Sequence, residues 1–432
     1  MRIACNAGSS LGGSQKAAWS YAEGLANLGH EVKVLTSPGP MRQNFADASF
    51  EVLELHSTQE WEQFYLSGWP EVVHNHAPGY ANPSLFYDIL DKMSQRPFRV
   101  VETNVFGWLT DSRSRRHVDF RVFISMASGA QAFRRAGIKN PEPMLKNHSV
   151  LYYPVEKLIP LPAAERTASR RDLGVGDDQI LVVRLGRPDA RKWGDWECRA
   201  FQMARRKETK LVFLMIEPPA SIRSQIESGK FGPGFLIKPL VSSQEWLSRL
   251  NRSAEMMLHA AISGESFGYT IAEAMAAGLP IVTRTTPWGD NAQVELVENG
   301  KSGFVCESIS GMAHAMGLLA ENPSLRAKLG DAAKIRIGNL ADATHEAGLL
   351  GEICSFSHSP GPLMAERKRD FLSFFGRFSH LENDTYELSQ RGFHPLEMVG
   401  CRLEKQWRLT RSTIRGLKAT FRTTLGLNAY RS

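Results

Sequence analysis

Short apolar runs alternate with amphipathic stretches along the first part of the chain. The run at residues 3–6 is followed by a glycine-rich loop at 8–13, and apolar residues then recur at helical spacing from 17 to 28. Further apolar runs lie at residues 31–35, 72–74, 99–101, 122–124 and 150–151. This alternation predicts a parallel sheet covered by helices on both faces. We therefore expect a Rossmann-like domain over residues 1–155.

The same alternation resumes after a polar, proline-containing segment, which predicts a linker at residues 156–169. Six further strands are predicted at residues 180–185, 211–216, 235–237, 255–258, 281–283 and 304–305. These strands indicate a second Rossmann-like domain over residues 170–350. Ligands of open α/β sheets bind beyond the carboxyl ends of the strands, so the expected site lies in the cleft between the two domains.

The last part of the chain, residues 351–432, has a different pattern. Between residues 396 and 425 an apolar stripe and a stripe of arginines and lysines recur at helical spacing, which predicts a basic amphipathic helix. Such a helix packs back on the first domain with its arginines solvated, or lies on an anionic membrane surface with its apolar side inserted. The pattern alone leaves both interpretations open.

Composition and charge narrow the function classes. The 432 residues are 42% hydrophobic, which is typical of a globular protein, and the formal charge of +7 favours anionic partners. The five cysteines are scattered and form no C-x-x-C pair, which indicates neither a disulfide framework nor a zinc site (Cys5, Cys198, Cys306, Cys354 and Cys401). Without a secretory or membrane-spanning pattern, we expect a cytoplasmic protein.

The segment from residue 263 to residue 280 carries the most specific chemistry. It predicts a strand end, a short loop and a helix that opens near Gly268, whose first N–H groups, from Phe267, Gly268 and Tyr269, suit a diphosphate. Glu265 in the loop and Glu273 in the helix lie on either side of that anion, where carboxylates accept hydrogen bonds from hydroxyls. Phosphates at the helix and hydroxyls at each glutamate together fit a nucleotide sugar.

These residues resemble the retaining family 4 glycosyltransferases (glycosyl transferases group 1), which have the GT-B fold and an E-x7-E signature. The spacing of Glu265 and Glu273, and the run that begins at Glu295, follow that family's pattern. A second segment resembles the family's G-R-x4-K-G motif, with one additional residue before the last glycine. The resemblance implies that Arg187 and Lys192 hold the donor diphosphate and, with Glu265, form the catalytic set, while Glu295 belongs to the donor site. A solvated basic turn is the alternative interpretation of Arg187 and Lys192.

The resemblance also extends to the first domain. Gly12 and Gly13 correspond to the family's loop beside donor phosphate or acceptor, and His74 and His76 fit its D-V-V-H-x-H strand end. Both histidines lie on one face of the strand, and with no third ligand in the sequence we expect an acceptor-side or structural role and no metal site. Asn104 occupies the position of a family histidine that contacts the donor sugar, and its amide can still bind a hydroxyl.

The resemblance implies transfer of a sugar from a nucleoside-diphosphate sugar to a sugar, lipid-linked or other hydroxyl acceptor, with retention of configuration and without a metal or other cofactor. Polysaccharide, glycolipid or glycoconjugate synthesis, at the inner face of the membrane, would be its setting. The alternatives are a nucleotide-sugar isomerase or phosphorylase on the same fold, or a non-catalytic anion-binding or membrane-surface protein. Hydride transfer is less favoured because residues 8–13 do not spell G-x-G-x-x-G. Nucleic acid is the least favoured partner because aromatic residues are not interleaved with the basic ones.

Overall fold

The computed structural model describes residues 1–392 except 11, 46–47, 242, 287–288 and 357–359, and it describes residues 44 and 378–392 by their backbone alone. The predicted amphipathic helix at 396–425 lies outside these residues. Within them, no helix has both the length and the apolar character required to cross a membrane.

The first domain contains a seven-stranded parallel sheet in the order β3-β2-β1-β4-β5-β6-β7. Its strands are β1 (Arg2–Asn6), β2 (Glu31–Thr36), β3 (Glu51–Glu54), β4 (Val72–Ala77), β5 (Arg99–Asn104), β6 (Phe120–Phe123) and β7 (His148–Val150). Six of the seven correspond to predicted apolar runs. The sequence analysis missed β3, an edge strand whose residues are exposed or half-buried, so it lacks the apolar run of a central strand.

Helices cover this sheet and connect its strands. They are α1 (Gly13–Asn27), α2 (Thr58–Leu66), α3 (Leu85–Leu90), α4 (Ser112–His117) and α5 (Met126–Arg135), with 3₁₀ helices at Pro40–Phe45 and Glu142–Lys146. Helix α1 ends where the sequence predicts, because Gly29 adopts a left-handed φ of 83°. In the sheet, Cys5 of β1 lies opposite Val34 on one side and His74 on the other.

The second domain contains a six-stranded parallel sheet in the order β10-β9-β8-β11-β12-β13. Its strands are β8 (Ile180–Arg184), β9 (Leu211–Ile216), β10 (Phe235–Lys238), β11 (Met256–His259), β12 (Ile281–Arg284) and β13 (Gly303–Cys306), all six of them predicted. Central residues such as Val182, Leu214 and Met257 are fully buried. Burial of each such side chain is worth about 1.5–3 kcal/mol, which explains why their apolar runs predict the strands well.

The helices of the second domain are α6 (Ala163–Leu173), α7 (Asp195–Arg205), α8 (Ala220–Glu227), α9 (Gln244–Ser253), α10 (Tyr269–Ala276), α11 (Gln293–Leu296), α12 (Ile309–Glu321) and α13 (Pro323–Leu340). Helix α6 begins inside the predicted linker at 156–169. Successive strands are added on one side of β8 up to β10 and on the other side from β11 onward. The loops that follow β8 and β11 therefore form the expected ligand-binding edge.

The chain returns to the first domain through α14 (Ala343–Ser355) and α15 (Pro362–Gly392). Helix α14 packs along α1, and α15 packs on α5 and β7. A buried ion pair between Arg367 and Glu346 joins the two helices at 2.5 Å. The domain boundary predicted at residue 350 falls inside α14, while the apolar face of this helix contacts the first domain.

Candidate functional site

The loop between β11 and α10 brings the start of a helix to the edge of the second sheet. Gly268 adopts a left-handed φ of 95°, a conformation that glycine accepts without strain, and α10 begins directly after it. The side chain of Phe267 is buried against Tyr153 of the first domain, and the Tyr269 hydroxyl donates to the Pro154 carbonyl at 2.6 Å. These contacts fix the predicted amide-rich helix start against the opposite side of the cleft.

Glu265 is held from three sides. Its Oε2 accepts a hydrogen bond from Lys192 Nζ at 2.8 Å, and its Oε1 lies 2.9 Å from His259 Nε2. Its backbone N–H donates to the side chain of Gln293 at 3.0 Å. Lys192 also donates to the Gly264 carbonyl at 2.9 Å. The structure thus brings together two of the predicted catalytic residues, Lys192 and Glu265, and adds His259, which the sequence analysis did not identify.

A fully buried arginine contacts two members of this cluster, Lys192 and His259. Arg184, the last residue of β8, pairs with Glu197 at 2.7 Å and lies 4.3 Å above the Trp193 ring. It also donates to the Lys192 carbonyl at 2.5 Å and to His259 Nδ1 at 3.0 Å. Because a guanidinium only donates, His259 Nδ1 must accept, which leaves the Nε2 hydrogen to bind Glu265. The sequence contains one indication that Arg184 has a special role, because it is a charged residue inside an apolar strand run.

The electrostatics of the cluster fix its protonation. Burial, reinforced by Arg184, lowers the pKa of His259 to about 4, so the ring is neutral at pH 7. Burial alone would raise the pKa of the Glu265 carboxyl, but Lys192 and the hydrogen bond from His259 outweigh it and hold that pKa well below its ordinary value. Glu265 is therefore an ionised acceptor with both oxygens engaged.

The low pKa of His259 predicts a loss of stability in mild acid. Since an unfolded histidine binds a proton below about pH 6.5 and the folded ring does so only near pH 4, the free energy of unfolding falls as the pH drops between these values. By linkage, His259 contributes about 3 kcal/mol to that fall. Urea unfolding at several pH values measures it, and His259→Gln should flatten the slope between pH 6.5 and 4.5. His314→Gln, at an exposed position, is the control and should leave the slope unchanged; an unchanged slope in His259→Gln would contradict the assignment.

Glu273 lies one and a half turns into α10 and is engaged across the cleft. Its carboxylate pairs with Lys16 Nζ of α1 at 2.5 Å, and the same ammonium donates to Gln244. Lys16 also lies 5.0 Å from the centre of the Tyr269 ring. A ligand hydroxyl that reached Glu273 would compete with this ammonium. The sequence analysis missed Lys16 because its partner is 257 positions away along the chain.

The glycine loop lies beside this helix start. A Cβ built on Gly13 would lie 3.4 Å from Tyr269 Cβ, so the first domain touches α10 at that point. A Cβ built on Gly8 would lie 2.6 Å from Gln15 Cγ and one built on Gly12 would lie 2.5 Å from Gln15 Oε1, so a side chain at either position would displace Gln15. Gly12 and Gly13 are thus adjacent to the predicted donor-binding residues.

Arg187 stands apart from the cluster. It lies in the loop that carries Lys192, its side chain is exposed, and its carbonyl accepts from Trp193 Nε1 at 2.8 Å. Among the described residues, no hydrogen bond or ion pair joins its guanidinium to Lys192, Glu265 or Glu273. Its predicted contact with a diphosphate stays a prediction.

The two histidines of β4 are packed into the first domain. His74 Nε2 lies 2.8 Å from Thr103 Oγ1, and the ring centres of His74 and His76 are 4.9 Å apart, on one face as expected. Burial lowers the pKa of His74 to about 3 and that of His76 well below its ordinary value, so both rings are neutral. Within the described part of the chain, no group of three metal-binding side chains is present.

The side-chain amide of Asn104 forms hydrogen bonds with the loop that follows it. Its Nδ2 donates to the Trp108 carbonyl at 2.6 Å, while its Oδ1 accepts from the Trp108 N–H at 3.3 Å. Asn104 is fully buried, and a side chain at Gly79 would collide with it. This geometry favours a role in shaping the loop over the predicted contact with the donor sugar.

The Glu295 side chain contacts the first domain. It accepts hydrogen bonds from the backbone N–H groups of Met126 and Ala127, at 3.1 and 2.9 Å, and from the Tyr152 hydroxyl. A carboxylate at this position stabilises the N-terminus of α5. The arrangement favours a structural contact between the domains over the predicted donor-binding role.

Comparison with known proteins shows which families and solved structures this chain resembles. Residues 179–322 match the family model described as Glycosyl transferases group 1. HepE from Anabaena, solved in complex with UDP and glucose, superimposes with a TM-score of 0.66 at 15% identity, covering 82% of this chain and 99% of that chain. A glycosyltransferase from Rickettsia africae gives a TM-score of 0.65 at 14% identity, over 82% of this chain and 97% of that chain. Sucrose-phosphate synthase from Thermosynechococcus elongatus gives a TM-score of 0.63 at 15% identity, over 82% of this chain and 98% of that chain.

No curated protein matches the chain significantly. The solved structures share the two-domain GT-B architecture, and the predicted fold is therefore confirmed. The resemblance to glycosyl transferases group 1 is confirmed over the matched residues of the second domain, which include Lys192 and Glu265.

Proposed function

We propose that this protein transfers a sugar from a nucleoside-diphosphate sugar to the hydroxyl of an acceptor, with retention of configuration at the anomeric carbon. The observation that carries the proposal is the cluster of Lys192, Glu265 and His259 beside the start of α10, inside the segment that matches glycosyl transferases group 1. A structural neighbour, HepE, has been solved with UDP-glucose, and we extend that donor class to this chain.

The proposed donor lies across the start of α10 with its diphosphate toward the backbone N–H groups of that helix. Lys192 neutralises the negative charge that grows on the leaving phosphate, and Arg187 closes over the same group from its exposed loop. The ionised Glu265 accepts hydrogen bonds from hydroxyls of the transferred sugar. Glu273 accepts those of the ribose after Lys16 has moved away from it.

Retention follows in this proposal from departure and attack on the same face of the sugar. The acceptor hydroxyl approaches as the phosphate leaves, and a phosphate oxygen takes its proton. In this scheme the protein contributes positioning and charge stabilisation, and a closed cleft excludes water that would otherwise compete with the acceptor.

The acceptor side is assigned to the first domain. We propose a sugar, a lipid-linked sugar or another hydroxyl compound as acceptor, in the synthesis of a polysaccharide, glycolipid or glycoconjugate. The basic and apolar stripes at residues 396–425 would hold the protein on an anionic membrane surface.

A panel of nucleotides tests the donor class. UDP, GDP, ADP and their sugars should be compared by thermal shift, and one base should raise the unfolding temperature well above the other two, because a ligand that binds only the folded state stabilises it. At 100 times its dissociation constant the bound nucleotide adds about 2.7 kcal/mol.

The stabilising donor is then incubated with candidate acceptors, and proton NMR of the anomeric signal reports the configuration of the product. An inverted product would contradict retention. Turnover of the sugar nucleotide without an acceptor, or only with inorganic phosphate, would identify an isomerase or a phosphorylase instead. If no nucleotide changes the unfolding temperature, the proposed donor class is wrong.

A further inference from the structure

Two aromatic residues lie at the rim of the cleft, in loops of the first domain. Tyr80 follows β4 and Phe106 follows β5, and these two strands are neighbours in the sheet. The ring centres are 6.2 Å apart and the ring planes differ by 14°, so the rings are nearly parallel. Phe106 is 37% exposed and Tyr80 is half-buried. We call this pair the aromatic shelf, and it lies beyond the carboxyl ends of the strands, where ligands of open α/β sheets bind.

The loop that carries Phe106 is fixed by hydrogen bonds. The side-chain amide of Asn104 binds both the carbonyl and the N–H of Trp108, at 2.6 and 3.3 Å. The N–H of Thr110 donates to the Gly79 carbonyl at 3.0 Å, which joins this loop to the loop that carries Tyr80. The protein itself therefore holds the two rings in place, and a preorganised surface binds a ligand with a smaller loss of entropy.

Arg135 connects the same loop to the second domain. It donates to the carbonyls of Phe106 and Gly107 at 3.2 and 3.0 Å, and its guanidinium lies 4.2 Å from the centre of the Trp108 ring. The same guanidinium lies 3.7 Å from the carboxylate of Asp290, in the segment that follows β12. The loop of Phe106 therefore lies beside the opposite wall of the cleft.

That wall continues to the loop that carries Lys192. The N–H of Asp290 donates to the Ser263 carbonyl at 3.0 Å, and the N–H of Ser263 donates to the carbonyl of Arg191 at 2.9 Å. Arg191 directly precedes Lys192, whose ammonium contacts Glu265. The aromatic shelf thus lies across the cleft from the loop that we assign to the donor phosphate.

The electrostatics of Arg191 agree with this placement. A hydrogen bond to Asp189 raises the pKa of Arg191 against the opposing effect of burial, and an interaction with Tyr80 raises that pKa further. Charge interactions weaken with distance, so the Tyr80 hydroxyl lies near the Lys192 loop.

The shelf is accessible where the two histidines of β4 are not. His74 is fully buried, and both ring nitrogens of His76 are buried as well. In this conformation an acceptor in the cleft can contact Tyr80 and Phe106, but it cannot reach the imidazole nitrogens.

The surroundings of the shelf favour a sugar over an acyl chain. Arg191 is exposed, and the side chains of Arg135 and Asp290 are each 26% exposed. An acyl chain over the rings would remove these charged groups from water without giving them a hydrogen bond, which costs free energy. A pyranose has a face of C–H groups that packs on an aromatic ring, and hydroxyls at its edge that bind charged side chains.

We infer that Tyr80 and Phe106 bind the acceptor by stacking on the face of a pyranose ring, with its hydroxyls toward the Lys192 loop. The acceptor is then a sugar, or a molecule that carries a sugar at its reacting end. Asn104 is a positioning residue in this site, because it fixes the loop that presents Phe106. The inference rests on the proposed sugar transfer and adds the contact that selects its acceptor.

Saturation-transfer difference NMR of the full-length protein tests this contact without a donor. The probes are the methyl pyranosides of glucose, galactose, mannose and N-acetylglucosamine, with sorbitol as an acyclic polyol and octanol as a neutral alkyl chain. At least one pyranoside should receive saturation at its ring C–H protons, while sorbitol and octanol should not. Phe106→Ala and Tyr80→Ala should each weaken binding of that pyranoside at least tenfold, and Phe106→Tyr, which keeps an aromatic ring, should bind it as the wild type does. Leu66→Ala, which removes another exposed apolar side chain of the first domain, is the matched control and should leave the affinity unchanged.

Three results would overturn the inference: no binding of any pyranoside, stronger saturation of octanol than of the pyranosides, or unchanged affinity in both Phe106→Ala and Tyr80→Ala. Because both side chains reach the surface, the variants should stay folded, and an unchanged unfolding temperature verifies it. The nucleotide panel separates this inference from the proposed function. If a nucleotide stabilises the variants as it does the wild type, while their affinity for pyranosides is unchanged, the assignment of the shelf alone is wrong. If pyranosides bind the shelf but no nucleotide stabilises the protein, the proposed donor class is wrong and the sugar contact stands.

Discussion

Replacement of Lys192 by methionine should lower kcat by about 100-fold or more, while the protein stays folded. The ammonium of Lys192 lies 2.8 Å from the Glu265 carboxylate. In the proposed reaction it faces the phosphate on which charge develops, and the loss of a single donor at such a position costs about 3–4 kcal/mol of transition-state stabilisation.

Stability should fall measurably in this variant, without loss of the fold. The Lys192 side chain is 25% exposed but that of Glu265 is only 14% exposed, and hydrogen bonds to charged groups contribute about 1.5–3 kcal/mol. Glu265 also retains its hydrogen bond to His259. Steady-state kinetics with saturating donor, together with urea unfolding, therefore separates catalysis from folding. Lys210→Met, at an exposed surface position, is the control, and wild-type kcat in Lys192→Met would remove this residue from the mechanism.

Arg187→Ala provides a comparison within the same loop. Because the guanidinium of Arg187 is exposed and makes no ion pair to the cluster in the described structure, its removal should leave the free energy of unfolding unchanged. A strong loss of kcat would show that the arginine closes on the donor during the reaction. An unchanged kcat would support the alternative interpretation of this residue as a solvated basic turn.

The sequence predicted the strands that carry an apolar run. In the centre of the second sheet these runs are buried on both sides because helices cover both faces. Strand β10 was predicted from the run Phe235 to Ile237 although its residues are half-buried. Strand β3 was not predicted because only Val52 and Leu53 are apolar in it, and Glu51 and Glu54 flank them at the sheet edge.

Two helix boundaries were predicted for a different reason. The helix predicted to end near residue 28 is followed by Gly29, and another opens at Gly268; both glycines adopt a left-handed φ, which glycine accepts without strain.

The site was predictable only where its residues are close along the chain or follow a family pattern. Lys192 and Glu265 come from motifs with fixed spacing, and the fold brings them together. The partners of Glu273 and Glu295 come from the first domain, and no local pattern indicates that Lys16 or the start of α5 will meet them. Long-range pairing of this kind depends on how the two domains close, which single-sequence patterns do not contain.

Replacement of Arg184 by methionine should destabilise the protein by about 3–5 kcal/mol. Arg184 and Glu197 are both fully buried and pair at 2.7 Å, and removal of one partner leaves an uncompensated charge in the core. Even with its partner in place, burial raises the pKa of Glu197, which shows how costly its charge is at this position. An exposed pair gives the control: Arg116→Met, whose partner is Asp91 at 3.0 Å, should cost less than about 1 kcal/mol.

The double variant, Arg184→Met with Glu197→Gln, distinguishes the two roles of this pair. It should recover much of the lost stability, because no buried charge remains, and a double-mutant cycle of urea unfolding measures the coupling. Activity should not recover with it, because Arg184 also donates to the Lys192 carbonyl and to His259 Nδ1. Without those two hydrogen bonds, neither the loop that carries Lys192 nor the tautomer of His259 is fixed, and Glu265 loses its defined position. If kcat returned together with stability, Arg184 would be a structural residue alone and the arrangement of the cluster would not depend on it.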